Sequence, residues 1–226
     1  MQEVSVIIPN FNGMAYLDGV LAGLECQSVN NFEVILVDNG SSDGSCAFVA
    51  ARYPWVHLIE LPENFGFCKA VNEGIRASRS PYVLLLNNDI EVTENFIEEM
   101  LSAIKRHPKA FSCAARMIQF HDRDRLDDAG NYYCALGWAY ARGKGKDIHT
   151  YEKEEKIFAS CAGAAIYRKK IFDELGYFDE EHFAYLEDMD VGYRARIYGY
   201  ENWYAPDAMV YHVGSGTSGS RYNQFK

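Results

Sequence analysis

Short apolar runs alternate with stretches of helical periodicity along the first half of the chain. Four of these runs are rich in Val, Ile and Leu and lead into Pro, Asn or Asp, which predicts buried strands. Between them, apolar residues recur at the spacing of amphipathic helices. This alternation predicts βαβ units and a mainly parallel sheet. The predicted strands cover residues 4–9, 32–37, 56–61 and 82–87, and the helices between them cover about residues 16–24, 46–53 and 70–75.

Beyond the fourth strand the alternation breaks down. We expect Asp43 or Ser45 to cap the second helix, and Thr93 to cap a helix with its apolar face between residues 96 and 104. The helix beginning at Glu187 should pair Asp190 with Arg194 at i, i+4. Its predicted buried face consists of Met189, Tyr193, Ile197 and Tyr200.

The remaining segments of the second half are predicted mainly as strands and loops. Residues 110–120, 131–141, 158–167, 203–204 and 209–212 are the predicted strands, and residues 170–175 form a short helix. Residues 121–128 are expected to be a charged connector, since their His-Asp-x-Asp cluster lacks the spacing of a calcium loop. Residues 142–155 are polar and contain glycine, which predicts a mobile loop that closes over bound substrates.

Composition excludes several classes of protein. Of 226 residues, 48% are hydrophobic and 24% charged, as in ordinary globular proteins, and the net charge of −10 argues against general nucleic-acid binding. The chain begins without a secretory signal, and no apolar run approaches the ~20 residues of a membrane span. The six cysteines show no C-x-x-C spacing, so we expect reduced thiols and a cytoplasmic location.

The fourth predicted strand ends in Asn87, Asn88 and Asp89. Ligands of open α/β sheets bind outside the carboxyl ends of the strands. Asn87 and Asp89 are two residues apart, so they leave the strand on the same face. A single carboxylate with an amide neighbour suits a divalent cation that already carries phosphate oxygens. The alternative interpretation is a turn that ends the strand, because Asn and Asp favour turns.

Two other predicted strands end in polar clusters that should reach the same edge of the sheet. Phe11, followed by Asn12, has a ring that can stack on a nucleobase. Asp38 can accept a hydrogen bond from a ring N–H, or can serve instead as a turn or N-cap residue. Together with Asp89, these residues predict a site for a nucleoside diphosphate.

Glu187 and Asp188 are adjacent carboxylates at a predicted helix start. The helix dipole favours acidic residues there, which is the structural alternative. The aromatic segment 178–186 before them, however, predicts a desolvated carboxylate that can act as a general base. His212, at a strand end, is either a metal or phosphate ligand or a structural histidine. Residues 214–219 match G-x-G-x-x-G, but no βαβ unit follows, so we reject a dinucleotide site there.

In this order, the motifs resemble glycosyltransferase family 2, and within it the rhamnosyltransferase-like branch. The resemblance runs from about residue 4 to residue 219, and its motifs are specific together rather than singly. The residues that carry it are 5–13, 37–43, 64–67, 72–74, 86–89, 163–165, 187–190 and Arg194.

The resemblance implies a single GT-A domain, in which a mainly parallel Rossmann-like sheet flanked by helices is joined by a smaller mixed C-terminal sheet. Residues 1–107 would bind the donor, and residues 108–226 would supply the base and most of the acceptor site. The implied reaction is inverting transfer from a nucleotide-diphosphate sugar, dTDP-rhamnose-like or a UDP-sugar, with Mg²⁺ or Mn²⁺. The implied acceptor is a saccharide or a lipid-linked saccharide of cell-surface polysaccharide synthesis, which would bring the chain to the cytoplasmic membrane face.

The resemblance also assigns roles to residues. Asp188 would be the catalytic base with Glu187 beside it, and Asp89 and His212 would be metal ligands. The nucleotide would be bound by Pro9, Phe11, Asn12, Asp38, Asn64, Gly66, Asn72, Asn87 and Asn88. The sequence departs from the family pattern at Asn87, which begins the metal motif. It also ends soon after the closing strands, where many relatives continue, as expected of a catalytic fragment or a minimal member.

Two functions of other classes remain open from the sequence. A catalytically silent sugar-nucleotide binder would use Asp38 and Asp89 without needing Asp188. A sugar-phosphate nucleotidylyltransferase also has a nucleotide-binding α/β sheet. Such enzymes carry a glycine-rich basic loop after the first strand, whereas residues 10–13 here contain neither Lys nor Arg.

Overall fold

A continuous sheet of ten strands runs through the protein in the computed structural model, which describes residues 2–214. Six α-helices lie among the described residues, and none is long and apolar enough to cross a membrane. The strands are β1 (Val4–Asn10), β2 (Phe32–Asn39), β3 (His57–Leu61), β4 (Tyr82–Leu86), β5 (Ile90–Val92), β6 (Ala110–Gln119), β7 (Leu126–Asp128), β8 (Asn131–Tyr133), β9 (Ala139–Ala141), β10 (Glu155–Ile157), β11 (Ala164–Arg168) and β12 (Glu201–His212). The helices are α1 (Met14–Glu25), α2 (Ser45–Arg52), α3 (Phe67–Ala77), α4 (Phe96–Arg106), α5 (Lys169–Leu175) and α6 (Glu187–Ile197).

The N-terminal strands form the predicted parallel unit. β1 lies between β2 and β4 and is parallel to both, and β2 is parallel to β3. Strand β11 runs antiparallel to both β4 and β6, and in this way it joins the C-terminal strands to the same sheet. Among the strands of residues 2–214, only β8 and β9 pair separately, as a small antiparallel hairpin. The α/β class and the central parallel sheet are therefore confirmed.

Both faces of the sheet are covered, which explains the unbroken apolar runs of its strands. Val6 and Ile8 of β1 pack in the hydrophobic cluster that includes residues of α1 and α4. Ile7, pointing the opposite way, packs in the cluster that includes residues of α3 and α5. Helix α3 approaches closely at Gly74, where a Cβ atom would lie 2.4 Å from Ile7 Cγ2.

Several predicted details beyond the fourth strand are wrong. Thr93 does not cap α4, because its hydroxyl donates to the carbonyl of Met209, and Gln27 Oε1 instead accepts from the N–H of Ile97. Of the predicted strand 158–167, only residues 164–167 are strand, as part of β11, and residues 158–163 form the connection that follows β10. The connector 121–128 ends in a strand, β7.

The buried face of α6 also differs from the prediction. Met189 is buried, but Tyr193 and Ile197 are exposed. Gly192 faces the protein instead, where a Cβ atom would lie 2.5 Å from the Cβ of Ala159. This close approach turns the tyrosine outward, while the predicted Asp190–Arg194 ion pair is confirmed at 2.6 Å.

Candidate active site

The carboxyl ends of β1, β2 and β4 are joined by a chain of buried amides and a carboxylate. Asn10 Nδ2 donates to Asp38 Oδ2 at 2.8 Å, and Asn88 Nδ2 donates to Asn10 Oδ1 at 2.7 Å. Gly13 lies against this chain, since a Cβ atom there would be 2.0 Å from Asn88 Nδ2. The polar residues that follow three separate apolar runs thus form one hydrogen-bonded rim, as the strand order predicts.

Asp38 is buried and already engaged on both oxygens. Besides Asn10, it accepts from the N–H of Ser41 at 2.8 Å, so it also organises the loop after β2. Asn12, at a positive φ of 49°, accepts from the N–H of Ser42 through Oδ1. Pro9 and Phe11, on either side of Asn10, are each half-buried. The loops after β1 and β2 are therefore held together before any ligand arrives.

The turn before α3 links this rim to the second half of the chain. Asn64 Oδ1 accepts from Asn39 Nδ2 at 2.8 Å and from the N–H of Gly66 at 2.9 Å. Gly66 has a positive φ of 89° and touches Phe183, whose carbonyl accepts from Phe67 N. The predicted turn residues thus reach the segment that precedes Glu187.

Asn72 is buried on α3 and uses its amide on the backbone of Phe178. Nδ2 donates to the Phe178 carbonyl at 2.8 Å, and Oδ1 accepts from the Phe178 N–H at 3.1 Å. Asn72 therefore fixes the approach to Glu187 and Asp188 against α3.

Asp89 and His212, 123 positions apart in sequence, come together at the end of β12. His212 Nε2 lies 3.4 Å from Asp89 Oδ1, and the N–H of Val213 donates to the Asp89 carbonyl. On the other side of the ring, Nδ1 contacts Asp127 Oδ2 at 2.7 Å. Burial acts against the charged imidazole, but the two carboxylates outweigh it and raise the pKa of His212 to about 9.

Asp127 is the carboxylate that orients the histidine, and its own charge is well stabilised. Burial alone would raise its pKa, but hydrogen bonds and charges from His212 and Lys144 lower the pKa to about 2. Lys144 Nζ lies 2.8 Å from Asp127 Oδ1. A carboxylate on one imidazole nitrogen is the usual support of a metal-binding histidine, because it leaves the other nitrogen for the cation.

The donor set is compatible with a divalent cation that keeps oxygen ligands from a substrate. Within residues 2–214 no cluster of three or more His, Cys, Asp or Glu side chains could hold a metal ion. A cation would therefore take Asp89 and His212 and complete its shell with phosphate oxygens and water, as Mg²⁺ commonly does. Asn87, two residues before Asp89, donates its backbone N–H to the Gly163 carbonyl at 2.8 Å.

Glu187 and Asp188 occupy different environments although they are adjacent. Glu187 is buried, and its Oε2 has no hydrogen-bond partner among the described residues. Burial and the neighbouring Asp188 charge raise the pKa of Glu187. Asp188 accepts from the Met189 N–H at 2.7 Å and from Asn131 Nδ2 at 3.2 Å. Burial raises the pKa of Asp188 as well, and those donors limit the rise.

Segment 180–186 leads into this pair with an uncommon backbone. Phe183, Tyr185 and Leu186 all have positive φ, and all three side chains are more than half exposed. Such conformations cost free energy in residues with a Cβ and cluster at functional sites. The predicted aromatic approach therefore exists, but only its Phe178 ring is buried, whereas the rings of Phe183 and Tyr185 face solvent.

Three residues near the base escaped the sequence reasoning: Asp127, Asp128 and Asn131. Asp128 is buried, accepts from the N–H of Gly130 at 2.6 Å and lies within electrostatic range of Asp188. Burial is the main cause that raises the pKa of Asp128 to about 7. The signal in the sequence is the Asp-Asp-Ala-Gly-Asn run at 127–131, whose two carboxylates lie at the end of the predicted charged connector.

The loop 142–155 is more firmly attached than predicted. The side chain of Arg142 is buried and pairs with Glu155, and its guanidinium lies 4.1 Å from the centroid of the Tyr151 ring. No helix or strand occurs between Arg142 and Glu154. The ends of this segment are thus joined by an ion pair, and closure of the loop over bound substrates stays a prediction.

Comparison with known proteins relates this chain to a family. The profile of glycosyl transferase family 2 matches residues 5–176. The N-acetylglucosaminyl-diphospho-decaprenol L-rhamnosyltransferase of Mycobacterium tuberculosis is 27% identical over 237 residues, covering 95% of this chain and 77% of that protein.

Solved structures share the fold. The structure of GalNAc-T7 with UDP, GalNAc and Mn²⁺ superposes with a TM-score of 0.78 at 15% identity, covering 94% of this chain and 44% of that one. The mannosyltransferase PcManGT from Pyrobaculum calidifontis, in complex with GDP-Man and Mn²⁺, gives a TM-score of 0.70 at 17% identity, covering 99% and 59%. The chain therefore spans less than two thirds of either solved chain, and the architecture it shares with them is the GT-A fold.

Proposed function

The chain belongs to glycosyl transferase family 2, and on that premise we propose that it transfers a sugar from a nucleotide-diphosphate donor with inversion at the anomeric carbon. The proposed donor is a dTDP-rhamnose-like or UDP-sugar. The proposed acceptor is a saccharide, free or lipid-linked, of cell-surface polysaccharide synthesis, by analogy with the relative named for a decaprenol-linked substrate. A sugar-phosphate nucleotidylyltransferase is set aside, because the family is that of the glycosyltransferases.

One observation supports joining donor and acceptor functions in a single site. The consecutive residues Ala162 and Gly163 touch both candidate centres. The Gly163 carbonyl accepts from Asn87 N at 2.8 Å, and the Ala162 N–H lies 3.4 Å from Asp188 Oδ2. The candidate donor motif and the candidate base are therefore linked through two consecutive residues, which supports placing both in one site.

The proposed chemistry is a single displacement. Asp188 takes the proton of an acceptor hydroxyl, whose oxygen bonds to the anomeric carbon of the donor as the bond from that carbon to the diphosphate breaks. The electron pair leaves with the nucleoside diphosphate. A divalent cation on Asp89 and His212 would neutralise the charge on that leaving group. Asn131 and the Met189 N–H hold the Asp188 carboxylate in place during proton transfer.

We further propose the division of labour expected from the sequence. Residues 1–107 would bind the nucleotide through the rim of Asn10, Asp38 and Asn88, and residues 108–226 would supply the base and the acceptor site. Use of a lipid-linked acceptor would bring the chain to the cytoplasmic face of the membrane as a peripheral protein. Asn72 would contribute by positioning, since both ends of its amide bond the Phe178 backbone.

A screen of nucleoside diphosphates tests the donor half of this proposal. UDP, dTDP, GDP and CDP would each be added with and without Mn²⁺ while thermal unfolding is followed. A ligand at 100 times its dissociation constant should add about 2.7 kcal/mol to the free energy of unfolding. The proposal expects Mn²⁺-dependent stabilisation by UDP or dTDP, and absence of stabilisation by every diphosphate would contradict it.

A sugar-nucleotide binder without catalytic activity would give the same stabilisation. Release of nucleoside diphosphate from the donor in the presence of acceptor separates the two functions. The structural support for an enzyme is the environment of Asp188, which accepts from three donors and has a raised pKa, as general bases in active sites commonly do.

A further inference from the structure

Three aromatic rings form an exposed platform next to the candidate base. The rings of Tyr133, Phe158 and Tyr193 stack on one another, with centroids 5.3 to 6.3 Å apart and planes within 27°. Tyr133 is 47% exposed and Tyr193 is 51% exposed. We call these three residues the aromatic platform. Rings of this size are normally buried or used for binding, because each offers a large apolar surface to a partner.

The platform is connected directly to Asp188. Asn131, whose side chain bonds Asp188, is two residues before Tyr133 on β8, and the two side chains share one face of that strand. Asn131 also accepts from the backbone N–H of Phe158 through its carbonyl. A molecule that contacts Asp188 at one end can therefore reach the aromatic platform with its other end.

Beyond the platform, the β8–β9 hairpin carries two more exposed apolar side chains. Leu136 is 86% exposed and Trp138 is 71% exposed, both in the turn that follows Tyr133. Helix α6 adds Ile197, exposed and one turn after Tyr193. Apolar side chains concentrated beside a polar site indicate a ligand that is polar at one end and hydrocarbon at the other.

A cation lies against the platform. The guanidinium carbon of Arg196 is 5.0 Å from the centroid of the Phe158 ring, and the side chain is exposed. Among residues 2–214 no carboxylate forms a salt bridge with Arg196, whereas Arg194 on the same helix pairs with Asp190. Guanidinium groups recognise phosphate oxygens well, so Arg196 supplies the charge that a diphosphate linker needs.

From this arrangement we infer that the platform, with Arg196 and the hairpin turn, binds the prenyl-diphosphate part of a lipid-linked acceptor. This inference rests on the proposed function and adds to it where the lipid chain lies. The hydrocarbon covers the rings and the turn, and the diphosphate contacts Arg196. An anionic bilayer is the other candidate occupant of such a surface, and binding to lipid vesicles distinguishes it from a prenyl diphosphate.

Farnesyl diphosphate, which is water-soluble, provides a direct binding test without any transfer reaction. Binding should shift the tryptophan emission saturably to shorter wavelength through Trp138, and the shift should be absent in Trp138→Phe. Tyr193→Ala should raise the dissociation constant by about tenfold, the effect of losing contact with one large apolar side chain. Trp55→Phe is the matched control, because Trp55 is exposed in the donor half and should leave the binding unchanged.

Arg196→Gln separates the two parts of the ligand. It should weaken farnesyl diphosphate and leave farnesol unaffected, whereas Tyr193→Ala should weaken both. Inorganic diphosphate alone should give no emission shift. Circular dichroism of each variant checks that α6 remains folded.

The outcomes distinguish this surface from the proposed function. The proposed prenyl-diphosphate site would be wrong if the tryptophan emission showed no saturable shift. It would also be wrong if Tyr193→Ala left the dissociation constant of farnesyl diphosphate unchanged. Either result would hold even if UDP or dTDP stabilises the protein. Equal binding to phosphatidylglycerol vesicles without prenyl diphosphate would overturn it in favour of a bilayer contact. Farnesyl diphosphate binding without stabilisation by any nucleoside diphosphate would support the surface and count against the proposed donor.

Discussion

Asn131 Nδ2 donates a hydrogen bond to Asp188 Oδ2 across 3.2 Å, joining the β8 strand to the first turn of α6. The bond favours the ionised form of Asp188 and so limits the rise of its pKa caused by burial. We predict that Asn131→Ala raises the pKa of Asp188 further. The acid limb of the kcat/KM profile should move to higher pH by up to about one unit, the effect of one hydrogen bond to a charged group. If the acid limb stayed at the same pH in Asn131→Ala, ionisation of Asp188 would not control kcat/KM.

Asp188 itself should be essential for transfer and dispensable for folding. Asp188→Asn keeps the size and can still accept from the Met189 N–H, but it cannot take a proton. We predict near-normal binding of the nucleoside diphosphate and a transfer rate lower by about 10²–10⁴-fold.

Glu187→Gln is the matched control for that variant. Glu187 is buried with a raised pKa, so the neutral amide resembles the protonated carboxyl that the fold favours. Its transfer rate should stay close to that of the parent. Parent-level transfer by Asp188→Asn would move the search for the base to Glu187 or Asp190, and failure of Asp188→Asn to fold would show that the residue is structural.

The sequence predicted much of the hydrogen-bonded rim because the signal lies within each predicted strand and the polar residues that follow it. Each apolar run ends in a polar cluster, and parallel pairing brings those ends together, as the contacts among Asn10, Asp38 and Asn88 show. Asp127 gave no such signal, because its partner His212 is 85 positions away, and the two meet only because β6 pairs with both β7 and β12. Likewise, periodicity predicted that Tyr193 is buried, since it could not register that Gly192 packs against Ala159.

Asp89 provides the test of metal dependence. Asp89→Ala removes one of the two proposed protein ligands, and the remaining His212 keeps its contact with Asp127. We predict that Mn²⁺ no longer increases the affinity for UDP or dTDP, while the affinity measured with a chelator stays the same. Glu91→Gln is the control, because Glu91 is nearby in sequence but pairs with Arg123 at the surface. Mn²⁺-stimulated binding that survives in Asp89→Ala would rule out this ligand assignment.

Asp38 requires a test that separates loop organisation from base recognition, since both of its oxygens already accept hydrogen bonds within the protein. If it also accepts from the ring N–H of uracil or thymine, Asp38→Ala should weaken UDP and dTDP binding by ~1–3 kcal/mol. CDP lacks that N–H, so its binding to the parent should already be weaker and should change less in the variant. Isothermal titration with all three diphosphates measures this. Equal losses for all three would assign Asp38 to the loop alone.

Asp128 should make the stability of the ligand-free protein fall as pH rises. Burial, together with the charges of Asp188 and Asp127, raises its pKa from the ordinary 3.8 to about 7, against the lowering effects of the Gly130 N–H and Lys144. Between those two values the unfolded chain releases the proton first and the folded chain retains it, so the free energy of unfolding decreases with increasing pH. Above pH 7, the stability that the protonated Asp128 carboxyl contributes is lost completely.

Asp128→Asn cannot ionise, yet its amide oxygen can still accept from Gly130 N. We therefore predict that the variant gains stability relative to the parent as the pH is raised from 4 to 8, by at most about 4 kcal/mol. Urea unfolding at several pH values, without nucleotide or metal, measures the difference. Asp124→Asn, in the exposed part of the same segment, should give a curve parallel to that of the parent. If the free energy of unfolding of Asp128→Asn also changes with pH in parallel with that of the parent, the Asp128 carboxyl is ionised in the folded protein at neutral pH. The desolvation inferred around Asp188 would then be too strong.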